Sequence, residues 1–173
     1  MTPLMIAALG ALMVATAFLS GLFGMAGGMI LIGVLLMLMP LPAAMVLHAI
    51  TQMASNGWRA FLWRDSVDWR VFRQYLFGAL TAVGAFALLQ FVASKPIAFI
   101  VLGLPPFASL ALPEKLHLTL ERRGHSFACG VICTGLQLLA GVSGPILDVF
   151  FVRSKMDRRA VVATKASIQS LGH

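Results

Sequence analysis

The chain has 173 residues, of which 60% are hydrophobic and 11% charged, and its mean hydropathy of +0.92 is far above what a soluble domain of this size keeps in solution. A formal net charge of +7 would suggest nucleic acid in a soluble protein, but here the basic residues gather in short segments between apolar runs, as membrane topology requires. Composition excludes a soluble fold and predicts an all-α, polytopic transmembrane protein, because several uncharged runs approach the roughly 20 residues that cross about 30 Å of hydrocarbon.

No charged residue precedes Arg59. Ala15-Thr16-Ala17 resembles a signal-peptide cleavage site, yet without a basic segment ahead of it the N-terminus reads as a retained first helix. That helix is expected from Pro3 to Leu22. It is interrupted by the glycine-rich stretch Ser20 to Met29 and resumes from Met29 to Met39, where Pro40 and Pro42 end it. The expectation is one span broken in its middle.

A more polar helix follows from Leu41 to Leu62. "WRDSVDWR", 63–70, is flanked by Arg59 and Arg73 and has all three tryptophans in or beside it, the mixture expected at a membrane interface, on the cytoplasmic side. Next come a helix from Val71 to Val92 and a shorter run up to Leu112, interrupted by Gly103 and Pro105-Pro106. Residues 113–126 read as a polar surface connector. The last apolar run, Phe127 to Val152, is broken near Gly141 to Pro145; "RSKMDRR", 153–159, follows, and a final helix begins near Ala160. The organisation is thus a first transmembrane repeat over 1–112, the connector over 113–126, and a second, incomplete repeat over 127–173.

The repeat rests on an offset of 117 residues, which lays Gly24, Gly27 and Gly28 on Gly141, Gly144 and Pro145, and Gln52 on Gln169. In both places an apolar helix, a glycine break, a second apolar piece, a turn and a polar-striped helix follow in that order. Broken helices in paired repeats are a common transporter plan, in which two halves alternate around a midplane site. The uncharged turn at Pro40 belongs outside and "RSKMDRR" inside, which predicts inverted halves. Counting each apolar run as one crossing contradicts this, so one segment is expected not to cross.

The candidate site follows from the stripes. His48, Thr51, Gln52, Ser55, Asn56 and Arg59 are expected along one helix face, and Lys165, Gln169 and His173 repeat the i, i+4, i+8 spacing in the second half. Polar and ionisable groups at membrane depth are costly unless they face a partner or a water-filled path. With Arg59 and Lys165 as permanent cations and amides as donors, the stripes favour an anion. Asp148, an acid inside an apolar run, is a candidate for proton coupling or for pairing with a stripe cation.

The glycine breaks at Gly24, Gly27 and Gly28 and at Gly141, Gly144 and Pro145 add helix N-termini, whose free N–H groups and dipole end attract anions. Such breaks survive in a bilayer only where they line a cavity or are packed in protein. Small-residue helix packing is the competing explanation. Cys129 and Cys133, one turn apart, read as packing residues, with thiol chemistry as an alternative. Neither a metal nor a cofactor is expected.

These residues carry a resemblance. Gly21, Gly24, Gly27 and Gly28, the Asn56 to Arg59 segment and Asp68-Trp69 in one block, with Gly141, Gly144 and Pro145 in the other, resemble the two blocks of the sulfite exporter TauE/SafE family, also called toluene sulfonate uptake permeases. The resemblance implies a multi-pass transporter of sulfite or small organosulfur anions in the bacterial inner membrane, without enzymatic activity. Family members usually continue with further helices, so a truncated member is expected, with a homo-oligomer or a partner chain supplying helices. The alternatives are an accessory or structural membrane subunit and a membrane thiol enzyme.

Overall fold

The computed structural model describes residues 3–23, 26–90, 94–111, 118–122, 124–152 and 154–173. Among them lie eight helices: α1 (Pro3–Phe23), α2 (Ala26–Leu38), α3 (Leu41–Leu62), α4 (Trp69–Leu89), α5 (Lys95–Ala111), α6 (His125–Ala140), α7 (Gly144–Val152) and α8 (Arg158–Gly172), with a 3-10 turn at Arg64–Ser66. The all-α expectation holds. Two helices, over Pro3–Gly21 and Trp69–Leu89, are long and apolar enough to cross a membrane, and shorter apolar helices cover Gly27–Leu38, Lys95–Leu104 and His125–Ala140. Leu4, Ile6, Phe18, Phe77 and Leu88 stand exposed on the outside of the bundle, a surface suited to lipid.

The first glycine break is not a gap in a straight span. A collinear break would hold Thr16 and Gly27 about 16 Å apart at 1.5 Å per residue. Instead, a Cβ placed on Gly27 would strike the Thr16 carbonyl oxygen and lie 2.8 Å from the Ser20 nitrogen. Leu9, Leu12 and Met13 pack against the buried cluster that holds Leu31, Leu35 and Leu36. The expected broken span is therefore a helical hairpin, in which α2 folds back on α1.

The second break turns in the same way. Gly141 closes α6 in the left-handed region, at φ +71°, and its N–H bonds to the Gln137 carbonyl at 2.7 Å; a side chain there would be strained. Glu121, just ahead of α6, accepts hydrogen bonds from Ser154 Oγ (2.5 Å) and the Lys155 N–H (2.7 Å), just beyond α7. The chain has returned to the end it left. Partial desolvation opposes the Glu121 charge, but the hydrogen bonds from Ser154, Lys155 and Met156 outweigh it and hold its carboxyl below the usual range.

Three contacts assign the ends of the bundle. Lys95 Nζ donates to the Met39 carbonyl at 3.4 Å, which puts the turns before α3 and α5 together. At the opposite end, the Asp68 N–H donates to Thr164 Oγ1 at 2.9 Å, and the Arg159 guanidinium lies 5.8 Å from the centre of the Trp63 ring. The hairpins thus enter from opposite ends. The α6–α7 hairpin returns to the end it leaves, so Pro40 and the basic segment before α8 lie at opposite ends of the bundle.

Boundaries repeat at the same offset: α1 ends at Phe23 and α6 at Ala140, while α3 begins at Leu41 and α8 at Arg158, each pair 117 residues apart. This repeat-like arrangement moves two expected boundaries. Helix α6 begins at His125, within the segment read as connector, and α8 begins at Arg158, where the Asp157 carboxylate caps it by accepting the Ala160 N–H at 2.7 Å. Connector residues 113–117 and 123, and Arg153 of "RSKMDRR", lie outside the described residues.

The tightest packing joins α4 to α6. A Cβ on Gly78 would strike the Phe127 carbonyl oxygen, and one on Gly130 the Tyr75 carbonyl oxygen, so the two backbones touch through paired glycines. Gly135 has only the Phe86 ring at 3.9 Å. Gly130→Ala should lower stability by about 1–3 kcal/mol through overpacking, with Gly135→Ala near neutral, as read by thermal denaturation in detergent. The Glu121 clasp makes a pH prediction. A carboxyl whose folded pKa is depressed contributes stability above its ordinary pKa and loses it as pH falls through the folded value. Acid melting curves of Glu121→Gln should lack that component and match the parent at low pH.

Candidate functional site

Where the hairpins meet, they and the two polar helices enclose a cavity of about 20 Å3, lined by Ser20, Gly28, His48, Gln52, Val142, Ser143, Gly144, Gln169 and His173. Each half contributes its hairpin tip and its polar-striped helix. The volume admits about one water molecule, so the site is small, and Gln169 and His173 on its wall are only partly buried.

Helix α3 starts cleanly because Pro40 and Pro42 flank its first residue, positions where a missing N–H costs nothing. It runs antiparallel to α8, which passes from the Trp63 end back to His48. His48, Gln52 and Asn56 are buried, and the Asn56 side-chain amide donates to Gln52 Oε1 at 3.3 Å. Gly28 allows the close approach of α2, since a Cβ there would lie 2.8 Å from Gln52 Nε2 and 3.7 Å from His48 Cε1.

The second half supplies an ordered relay. Ser143 Oγ donates to Gln137 Oε1 at 3.3 Å, and Gln137 Nε2 lies 2.5 Å from His173 Nδ1. With Gln137 donating, Nδ1 accepts and the His173 proton sits on Nε2. The His173 ring meets His48 edge-on, with centroids 5.2 Å apart and planes at 81°. Both nitrogens of His48 and the Ser20 hydroxyl are buried without a hydrogen bond of good geometry, though the Gly141 backbone lies close enough to the His48 ring to interact, and a buried group left wholly unmet costs about 1–3 kcal/mol. Two residues with unmet hydrogen-bonding capacity thus line one small chamber.

Several expected site residues fall elsewhere. The six polar residues of α3 do not share one face: Thr51, Ser55 and Arg59 line a separate cleft of about 520 Å3 with Met13, Val14, Ala17, Ala54, Trp58 and Leu62. Thr51 Oγ1 donates to its own helix at Leu47 O (2.8 Å), and Arg59 reaches Ser55 Oγ at 3.5 Å. Lys165 is not a free cation, because its ammonium pairs with the Asp148 carboxylate across α7 and α8. Gly27 packs on α1, Gly141 forms the turn, and Pro145 is buried at the start of α7 without lining the cavity. Gly24 lies outside the described residues.

Ser20, Gln137, Val142 and Ser143 escaped the reading of the sequence. Ser20 and Gln137 are themselves 117 residues apart, so the repeat offset that linked Gln52 to Gln169 could have found both. The packing reading of the cysteines holds. Cys129 and Cys133 are free and fully buried, with sulfurs 3.8 Å apart, in the core that includes Tyr75 and Phe150, out of reach of a substrate.

A helical bundle with an apolar exterior and a small polar chamber between two fold-back hairpins defines a membrane-associated protein. Residues 8–171 match the model of the sulfite exporter TauE/SafE family, and the chain belongs to that family, whose members are transporters and not enzymes. The match covers nearly the whole chain and lends no support to the expected truncation. No curated protein and no solved structure matches the chain.

The Asp148–Lys165 pair is mostly buried, with 15% and 14% of the side chains exposed. Asp148→Asn alone leaves an unpaired ammonium and should cost about 3–5 kcal/mol, whereas Asp148→Leu with Lys165→Met should be near neutral. Thermal denaturation of the single and double variants in detergent measures the difference.

Proposed function

We propose that the chain is a multi-pass secondary transporter of small anions, sulfite or organosulfur anions, in the cell inner membrane, and that the polar chamber is its substrate site. The observation that carries this reading is the convergence of both hairpin tips and both polar helices on one cavity, where Ser20 and His48 have unmet hydrogen-bonding capacity.

Recognition rests on neutral donors. Arg59 is in another cleft and Lys165 is neutralised, so the chamber offers histidine N–H, glutamine amide and serine hydroxyl groups, with the N-terminal ends of α2 and α7 at its edge. Such ends attract negative charge without a counter-ion. A full-charge cation would hold an anion tightly; a set of dipoles binds it and lets it go, which suits a carrier.

The reading implies alternating access. Opposed hairpins allow one half to rock against the other, opening the chamber first to one end and then to the other. The end that carries the basic segments 63–70 and 154–159 is cytoplasmic by the positive-inside rule. Asp148 offers a route to proton coupling: its protonation would release the Lys165 ammonium beside the chamber, adding a positive charge when the anion must bind.

In proteoliposomes, Gln52→Leu with Gln169→Leu should reduce sulfite flux about tenfold or more, the loss of one to two net hydrogen bonds at about 1.4 kcal/mol per tenfold. Cys129→Ser with Cys133→Ser should retain flux. Unchanged transport in the double glutamine variant, with folding intact, would remove the chamber from the mechanism.

A further inference from the structure

The hydrogen bonds around the chamber fix which groups donate into it. Asn56 donates to Gln52 Oε1 at 3.3 Å, and the Gln52 Nε2 end lies against Gly28 on the chamber wall. Gln137 Nε2 donates to His173 Nδ1, which occupies the free lone pair of that ring and puts its proton on Nε2. His48 is the exception. It is 1% exposed, and the Gly141 backbone lies close enough to interact with its ring. The Gly141 N–H is committed to the Gln137 carbonyl at 2.7 Å, so its own carbonyl is the group left to meet His48, and a carbonyl only accepts. A neutral imidazole has one N–H and one lone pair. With the N–H turned to Gly141, the other nitrogen is a bare lone pair in a site otherwise built from donors, and a lone pair repels an anion.

We propose that His48 takes up one proton with each anion, so that the chamber fills and empties with a neutral pair. This rests on the transport reading and names the group that couples it to protons. Protonated, the ring donates to the Gly141 carbonyl through one nitrogen and to the anion through the other. The proton comes from the aqueous side that delivers the anion and leaves to the side that receives it; no other bond is made or broken. An anion beside the ring supplies the counter-charge, whereas an imidazolium left without one would be an unpaired charge in a buried site. Among the lining residues the other titratable group is His173, whose ring centroid is 5.2 Å from that of His48. Its Nδ1 is already engaged by Gln137, and two imidazolium rings that close would repel, so uptake stops at one proton. Helices α1 and α2 and the α6–α7 turn line the chamber with no titratable side chain, and the Asp148–Lys165 pair is matched within itself. The charge thus arrives and leaves with the cargo.

Two measurements on the full chain test this. In nitrogen NMR spectra of histidine-labelled protein in lipid nanodiscs at neutral pH, saturating sulfite should convert one imidazole to imidazolium, with binding of radiolabelled sulfite measured on the same sample. That signal should persist in His173→Gln and vanish in His48→Gln. In proteoliposomes the probe is methanesulfonate, a strong-acid anion that carries no proton of its own; its entry should bring about one proton per anion, read by an internal pH dye. His48→Gln should slow the flux, and what remains should carry about tenfold fewer protons per anion. Asp148→Leu with Lys165→Met should keep the parent's ratio. If His48→Gln does not fold, or methanesulfonate is not carried, the parent and His173→Gln spectra decide. Imidazoles that stay neutral with sulfite bound, an imidazolium lost in His173→Gln, or a proton ratio lost with the Asp148–Lys165 pair would each overturn the proposal. Anion flux without protons would remove this inference alone, whereas a parent chain that neither binds sulfite nor moves either anion would remove the transport reading as well.

Discussion

The polar face of α3 cannot be left to lipid, and the architecture follows from how it is covered. His48, Gln52 and Asn56 present ring nitrogens and amides on one side of a helix in an otherwise apolar chain, and an unpaired polar group in hydrocarbon costs several kcal/mol. Helix α8 covers that face with its own polar stripe, running antiparallel so that His173 reaches His48 while Arg159 reaches Trp63. The two hairpins then close the remaining sides with their tips. Fold and site share one solution: what shields the polar groups from lipid also collects them around a chamber.

Glycine does different work at each place it occurs. At Gly78 and Gly130 it lets two helix backbones touch, at Gly27 it lets a hairpin close, and at Gly28 it brings α2 up to Gln52. Only the last of these bears directly on the chamber. Gly141 is needed for its left-handed backbone and not for space, since a Cβ there would meet Ile32 and Met45 at ordinary distances of 3.6 Å and 3.7 Å. At the first break Gly27 therefore serves packing, while Gly28, one residue on, borders the chamber.

Much of this was legible in the sequence. Hydropathy identified the membrane class, the polar stripes marked α3 and α8, and the 117-residue offset matched the end of α1 to that of α6 and the starts of α2 and α3 to those of α7 and α8 within one residue. The hairpins were not legible, because a span that breaks and continues and one that breaks and returns have the same composition and periodicity; what separates them is the contact of Gly27 with Thr16 and of Glu121 with Ser154, both tertiary. The division of the α3 stripe was hidden for a related reason. Thr51 and Ser55 each precede a buried residue by one position, about 100° around the helix, enough to turn them away from α8 and toward α1. The pairing of Asp148 with Lys165 depends on how α7 meets α8, which periodicity within either helix does not encode.

The location of charge is what the structure changes most. The stripes suggested an anion held by permanent cations, yet the chamber is lined by neutral side chains, while Arg59 and Lys165 stand outside it, one in a cleft and one in an ion pair. A bare cation in a cavity of about 20 Å3 would have little water to solvate it and no counter-ion when empty, a penalty of several kcal/mol. Neutral donors carry a smaller penalty, visible as the unmet groups of Ser20 and His48. On the proposed function, the empty chamber recurs in every cycle, and one without fixed charge keeps the cost of that state low.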